Sequence, residues 1–144
     1  MILRPAALVA ITPEAVRALR GLTRVELTHF PFKVGRESRA PEPATGDRVE
    51  LRLGAAPDLN DLYLVEPRWS DMMQVSREHL QIEQDGQRFF VADRGSHCGT
   101  LVAGRLVGGN RSFGRAEVRH GDLVVVGNDR SEYIFRFEVS EPAG

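Results

Sequence analysis

At 144 residues with 42% hydrophobic content, the chain can fill one core and is sized for one domain spanning 1–144. A net charge of −1 excludes the overall basic field behind non-specific nucleic-acid binding, so any anion recognition must come from a local patch. Arginine outnumbers lysine eighteen to one, a bias toward the planar fork that suits phosphate, and the lone Cys98 excludes an internal disulfide and fits a reducing compartment.

Leu8–Ile11 reads as a strand. The apolar stretch Ala6–Ile11 is too short for a secretory core and no run reaches transmembrane length, so a soluble cytoplasmic protein is expected. Thr12-Pro13-Glu14 starts a short helix, with a hydroxyl N-cap, proline at the first position and an acid in the first turn. Val16, Leu19 and Leu22 give that helix its apolar stripe, and Gly21 ends it. Val25–Leu27 and Phe32–Val34 alternate, with Pro31 permitting a bend between them.

Glu37–Asp58 reads as an insertion containing its own alternation, Val49–Leu53, a short strand or hairpin arm. Leu62–Val65 is the next strand candidate, while Glu66–Gln74, with Trp69, Met72 and Met73, has no readable period. Leu80–Glu83 and Phe89–Ala92 alternate around an Asp85-Gly86 turn, and Leu101-Val102 and Leu106-Val107 flank Ala103-Gly104 as a tight hairpin. His120-Gly121-Asp122 turns into Leu123–Val126, whose continuous apolar run predicts a strand buried on both faces. Tyr133–Val139 alternates and closes the domain. Many short strands separated by turn signals predict an all-β sandwich.

Four short pieces between these strands carry small or donor-bearing residues: Gly35-Arg36, Ser76-Arg77-Glu78-His79, Gly95-Ser96-His97-Cys98-Gly99-Thr100 and Gly121-Asp122. Loops of this kind build little core and hold anions well. Each piece alone is a turn with a surface arginine; four in order make a specific pattern. That pattern resembles the forkhead-associated (FHA) domain, a β-sandwich of two sheets whose loops at one end bind phosphothreonine peptides; the resemblance covers roughly residues 24–139 and implies a core over that span, preceded by a strand–helix extension over 1–23. The resemblance implies a phosphothreonine-dependent protein-binding module, an adaptor in Ser/Thr kinase signalling or complex assembly. It implies neither enzyme activity, metal nor cofactor, and its partner is a phosphothreonine-containing protein rather than nucleic acid or membrane.

A phosphothreonine carries nearly two charges and three acceptor oxygens, so its pocket needs converging donors. By the resemblance, Ser76 offers its hydroxyl and backbone N–H, Arg77 a charge-assisted pair, and Arg36 reaches in from the neighbouring loop. His97 and Cys98 complete the peptide-binding set. Gly35, His79, Gly95, Ser96, Gly99 and Thr100 shape the loops, His79 by bracing them from beneath.

Two departures stand out. Cys98 occupies the position of the family's asparagine, which hydrogen-bonds the ligand's backbone; a thiol cannot supply a carboxamide's paired contacts, and the loss is expected to cost about 1–3 kcal/mol. The insertion over 37–58 also separates the Gly-Arg and Ser-x-x-His loops more widely than is usual. An imidazolium at His97 would add a donor to the phosphate, while the plainer alternative is an exposed loop histidine. His97 and Cys98 are chain neighbours on a tight loop, a poor geometry for Cys–His catalysis, and no zinc-type spacing is present. The rival reading is a degenerate scaffold of the same fold that binds a partner without phosphate, through a sheet face, an edge or the insertion.

Overall fold

Alternating side chains give this chain two inward-facing apolar surfaces, and burying one against the other generates the architecture. The structure is a computed structural model that describes residues 5–38, 59–67 and 73–140. In chain order the elements are β1 (Ala6–Ala10), α1 (Pro13–Ala18), β2 (Arg24–Glu26), β3 (Phe32–Arg36), β4 (Leu62–Leu64), β5 (Leu80–Asp85), β6 (Arg88–Asp93), β7 (Thr100–Val102), β8 (Arg105–Val107), β9 (Gly114–Val118), β10 (Leu123–Val126) and β11 (Ile134–Val139). They form a six-stranded sheet, β2-β1-β11-β10-β7-β8, and a five-stranded sheet, β4-β3-β5-β6-β9. The all-β sandwich with a short N-terminal helix read from the sequence is the fold observed.

The core lies between the sheets. Phe135 and Phe137 of β11 and Val124 and Val126 of β10 face Val34, Leu80, Ile82, Phe89 and Val91 of the other sheet. Phe89 is the hinge of an aromatic chain, its ring 5.3 Å from that of Phe137 and 5.5 Å from that of Phe30. Such tilted pairs add to plain area burial.

Several local expectations change. The helix spans only Pro13–Ala18, with the Thr12 hydroxyl accepting from the Ala15 N–H at 3.1 Å. Its buried face is Ala15, Ala18 and the capping Leu19, while Leu22 falls beyond the helix end and is 61% exposed. Arg20 and Gly21, both with positive φ, end the helix before the expected stripe is complete. Strand β1 is no appendage, because it lies between β2 and β11 and contributes the fully buried Ala7 and Leu8. Strand β10 is not buried on both faces: Val124 and Val126 point inward, but Leu123 is 44% exposed and Val125 partly exposed. Strand β9, hidden in the sequence by its charged alternation, pairs with β6 along its full length. The hairpin arm expected at Val49–Leu53 lies outside the described residues.

Strand β4 runs parallel to β3, pairing Val34 with Leu62 and Arg36 with Leu64. Parallel neighbours need a crossover of about a dozen residues or more, and the long stretch after Arg36 supplies that length. The expected insertion therefore lies between two strands of one sheet. Across the two sheets, the C-terminal ends of β3, β6, β8 and β10 and the N-terminal ends of β5, β7, β9 and β11 gather at one end of the sandwich.

Candidate functional site

Asp93, the last residue of β6, organises the first loop at that end. Its buried carboxylate accepts hydrogen bonds from the Gly95 and Ser96 N–H groups at 2.9 and 2.8 Å and from the Ser96 and Thr100 hydroxyls at 2.7 and 3.0 Å. The Ser96 hydroxyl in turn accepts from the Gly99 N–H at 2.9 Å. Four donors on one carboxylate compensate its burial and hold the 95–99 turn in one shape. Gly108 is tied to the same group, since a Cβ there would lie 2.3 Å from the Asp93 carboxyl carbon.

His79, with no exposed surface, joins this turn to the next loop. Its Nδ1 accepts from the Ser76 N–H at 2.9 Å, and its Nε2–H donates to the Gly99 carbonyl at 2.7 Å. Burial lowers its pKa, against the opposing pull of the Gly99 carbonyl and of Asp93, so the ring is held neutral with its proton on Nε2. One expectation is corrected here: the Ser76 N–H is spent on His79 and does not face outward. The Ser76 hydroxyl is the donor left at that position, and its oxygen accepts from the His97 N–H at 3.0 Å.

The third piece is β3. The Arg36 N–H donates to the Ser76 carbonyl at 2.9 Å, and its guanidinium Nη1 to the Val75 carbonyl at 3.3 Å. Arg36, Ser76 and His97 are thus stitched together side by side. Arg77 is exposed, and its guanidinium makes no hydrogen bond or ion pair among the described residues. Gly35 is glycine for a steric reason: a Cβ would sit 2.0 Å from the Arg77 carbonyl oxygen.

Cys98 is partly buried, its thiol donating to the Met73 carbonyl at 3.4 Å, and burial raises its pKa. His97 is exposed beside it. Together with Met73, Leu106, Asn110 and Asn128 they line a cleft of about 530 Å³. Gly121-Asp122 falls elsewhere, in the turn before β10 at the opposite end of the sheet, where the Asp122 carboxylate accepts from the Arg119 N–H at 2.8 Å.

The bracing residues missed in the sequence are polar and buried. Asn60 donates to the Arg77 carbonyl at 2.7 Å and accepts from Arg94, which also reaches the Leu59 carbonyl at 2.9 Å and Glu78 at 3.1 Å. Glu66 accepts from the Gln74 and Val75 N–H groups at 2.7 and 2.9 Å, fixing the approach to Ser76. Asp93 was findable, because an aspartate ending a strand before Gly-Ser is an Asx-turn signature. Asn60 and Glu66 act across gaps in the chain and left no local signal. Among the described residues, no group of three or more His, Cys, Asp or Glu side chains is arranged to hold a metal ion, and no helix is long and apolar enough to cross a membrane.

Chemically, this end of the molecule presents a hydroxyl and a guanidinium that pairs with none of the described residues, on a rigid frame with a second guanidinium tied in beside them. The FHA domain family model matches residues 46–127, a span that takes in the Ser76–His79 and 95–100 loops and leaves Gly35-Arg36 outside. Among solved structures the chain is similar to the kinase-interacting FHA domain of the Arabidopsis kinase associated protein phosphatase KAPP (22% identity, TM-score 0.61, covering 100% of both chains). It is also similar to the FHA domain of CT664 from Chlamydia trachomatis (16% identity, TM-score 0.53, covering 98% of this chain and 100% of that one). A third likeness is to Mycobacterium tuberculosis EmbR in complex with a low affinity phosphopeptide (18% identity, TM-score 0.54, covering 97% of this chain and 26% of that one). At these identities the likeness is one of fold. No curated protein matches the chain.

Proposed function

We propose that this chain, which belongs to the FHA domain family, is a phosphothreonine-dependent protein-binding module serving as a cytoplasmic adaptor in Ser/Thr kinase signalling or complex assembly. The observation that carries the reading is the junction at Ser76: one hydrogen bond ties its backbone to Arg36, another ties its side chain to the His97 loop, and the adjacent Arg77 guanidinium pairs with none of the described residues. A phosphate seated there meets a hydroxyl and two arginines without first breaking an ion pair at Arg77, so its dianionic charge is met by charge-assisted bonds. The phosphopeptide in the EmbR complex supports a ligand of this class for the fold.

The reading is of a binding module, not an enzyme. His79, whose ring braces the Ser76 loop, is engaged through both ring nitrogens and has none left to take a proton from the Ser76 hydroxyl. Cys98 departs from the family's asparagine, and its thiol faces the Met73 carbonyl. The ligand backbone therefore loses a carboxamide contact, which favours modest affinity with recognition concentrated on the phosphate.

The test is a titration of a degenerate phosphothreonine peptide pool against its unphosphorylated twin. Binding of the phosphorylated pool alone is expected. Equal binding of the two would transfer the function to a phosphate-independent surface.

A further inference from the structure

The two outer faces of the sandwich differ in chemistry. On the five-stranded sheet, Arg88 pairs with Glu117 at 3.0 Å, Arg115 with Glu83 at 2.9 Å, and Arg115 stacks over the Phe90 ring at 3.7 Å, the ordinary dress of a solvated sheet. The six-stranded sheet has ion pairs as well, Arg24 with Glu138 at 3.0 Å and Arg136 with Glu138 at 2.9 Å, but toward the loop end it carries an aliphatic row across four neighbouring strands and the residue that follows β1. Leu106 of β8 is opposite Leu101 of β7, Leu101 is opposite Val125 of β10, and Val125 is opposite Ile134 of β11. Ile11, whose N–H donates to the Ile134 carbonyl at 2.9 Å, continues the row beyond β1. The chain neighbours Thr100, Val102, Val124, Val126 and Phe135 point into the core, so Leu101, Val125 and Ile134 face outward, as Leu106 does beside the buried Val107. At the two ends Leu106 is 56% and Ile11 43% exposed, and the three between are partly exposed.

Its position is the second observation. Leu101 follows Thr100 directly, Val125 lies two residues before Gly127, and Ile134 opens β11, so the row runs just beneath the loops that carry Ser76 and His97. Leu106 belongs to both, because it lines the cleft with His97 and Cys98 and its Cδ1 would meet a Cβ on Gly99 at 2.8 Å.

We propose that this row is part of the ligand site and takes an extended aliphatic segment of the same polypeptide that carries the phosphothreonine. The inference rests on the phosphothreonine reading above and adds the chemistry of the partner. Four inter-strand steps of about 4.8 Å make the row roughly 19 Å long, the span of about six extended residues. A segment with aliphatic side chains at alternate positions lays three of them on the row while its polar positions face water. Continuity through Leu106 and the cleft makes phosphate and segment one ligand, and anchoring the phosphate raises the local concentration of the segment over a face too small to hold it alone.

The experiment uses two phosphothreonine peptide libraries. Each has six positions on either side of the phosphothreonine, filled in one with Leu, Ile or Val alternating with Ser and in the other with Ser and Gly only. The aliphatic library is expected to bind at least tenfold tighter. A Val125→Thr/Ile134→Thr double variant should abolish that gain and leave the Ser/Gly library's affinity unchanged; both substitutions keep the β-branch, and thermal melts check that the fold is intact. Equal affinity of the two libraries for the wild-type chain, or a gain that survives the double substitution, overturns the proposal. If the Ser/Gly library and its unphosphorylated twin bind equally, the phosphothreonine reading fails. An aliphatic gain that persists without phosphate then marks an independent surface and overturns the single-ligand proposal as well. A row covered by a second copy would instead appear as a dimer in sedimentation that the double variant dissociates without any change in peptide affinity, and this too overturns the proposal.

Discussion

His79 holds two loops together with one ring, and its burial has a consequence in pH. An unfolded histidine titrates near 6.5, whereas burial lowers the folded value. Between the two pH values the unfolded chain binds a proton that the folded chain refuses, so stability is fully present above about 6.5 and is lost as pH falls through the folded pKa. His79→Gln should lose less stability between about pH 7 and pH 5 than the wild type does, read from urea midpoints across that range. Equal slopes would mean that His79 is not the titrating group. Cys98 gives a second prediction at this scale. Burial raises its thiol pKa, so less thiolate is present at any given pH, and alkylation by iodoacetamide at pH 8 should be slower than that of an unhindered small thiol. Alkylation at the small-thiol rate would contradict the buried geometry at Met73. Arg77 is the third residue to test: Arg77→Ala should weaken phosphopeptide binding by about 2 kcal/mol, roughly thirtyfold, with little effect on thermal stability because its guanidinium supports nothing in the fold.

Among the elements, β3 is the one on which the others depend. It lies between β4 and β5, its Arg36 N–H holds the Ser76 carbonyl, and its Gly35 admits the Arg77 carbonyl and the Asn60 side chain. Gly35→Ala would push a methyl to 2.0 Å from a backbone oxygen, which cannot turn aside as a side chain can. The expected cost is about 3 kcal/mol or more, with phosphopeptide affinity falling alongside stability because the displaced group belongs to the Ser76–Arg77 loop. Chemical denaturation and peptide titration well below the melting temperature measure the two effects; a stable variant with intact binding would show that the loop can move. The Asp93 turn and the Glu66 brace work on the same plan, each burying a carboxylate that collects backbone N–H groups from an otherwise irregular segment.

For the whole molecule, a net charge of −1 confines anion attraction to a few local arginines. Raising salt from about 0.05 to 0.5 M should therefore weaken phosphopeptide binding less than about tenfold, far from the ~10³–10⁵ loss of a nucleic-acid binder; isothermal titration at the two ionic strengths checks this. Much of this architecture was legible before the structure, because a half-buried strand writes its orientation into every second residue. Phe89–Ala92 and Tyr133–Val139 declared their inner faces that way, and the turns at Asp85-Gly86 and Ala103-Gly104 declared themselves by composition. Strand β10 misled because an apolar run does not say whether its outer side is covered, and Leu123 and Val125 turned out to face outward. The parallel placement of β4 and the bracing by Asn60 had no local trace, since their partners are distant in the chain, and Glu66 bonds N–H groups eight and nine residues on, past a stretch with no readable period.

From the sequence by itself came the sandwich, the loops that carry small and donor-bearing residues, and the family they resemble, all properties that short-range periodicity and turn chemistry encode. The tertiary structure alone decided that the Ser76 N–H is consumed by His79, that the Arg77 guanidinium pairs with none of the described residues, and that five aliphatic side chains, four of them from neighbouring strands, line up beneath the loops. Hydrogen-bond partners and shared faces depend on which distant residues meet when the sheets close, and no window along the chain contains that information.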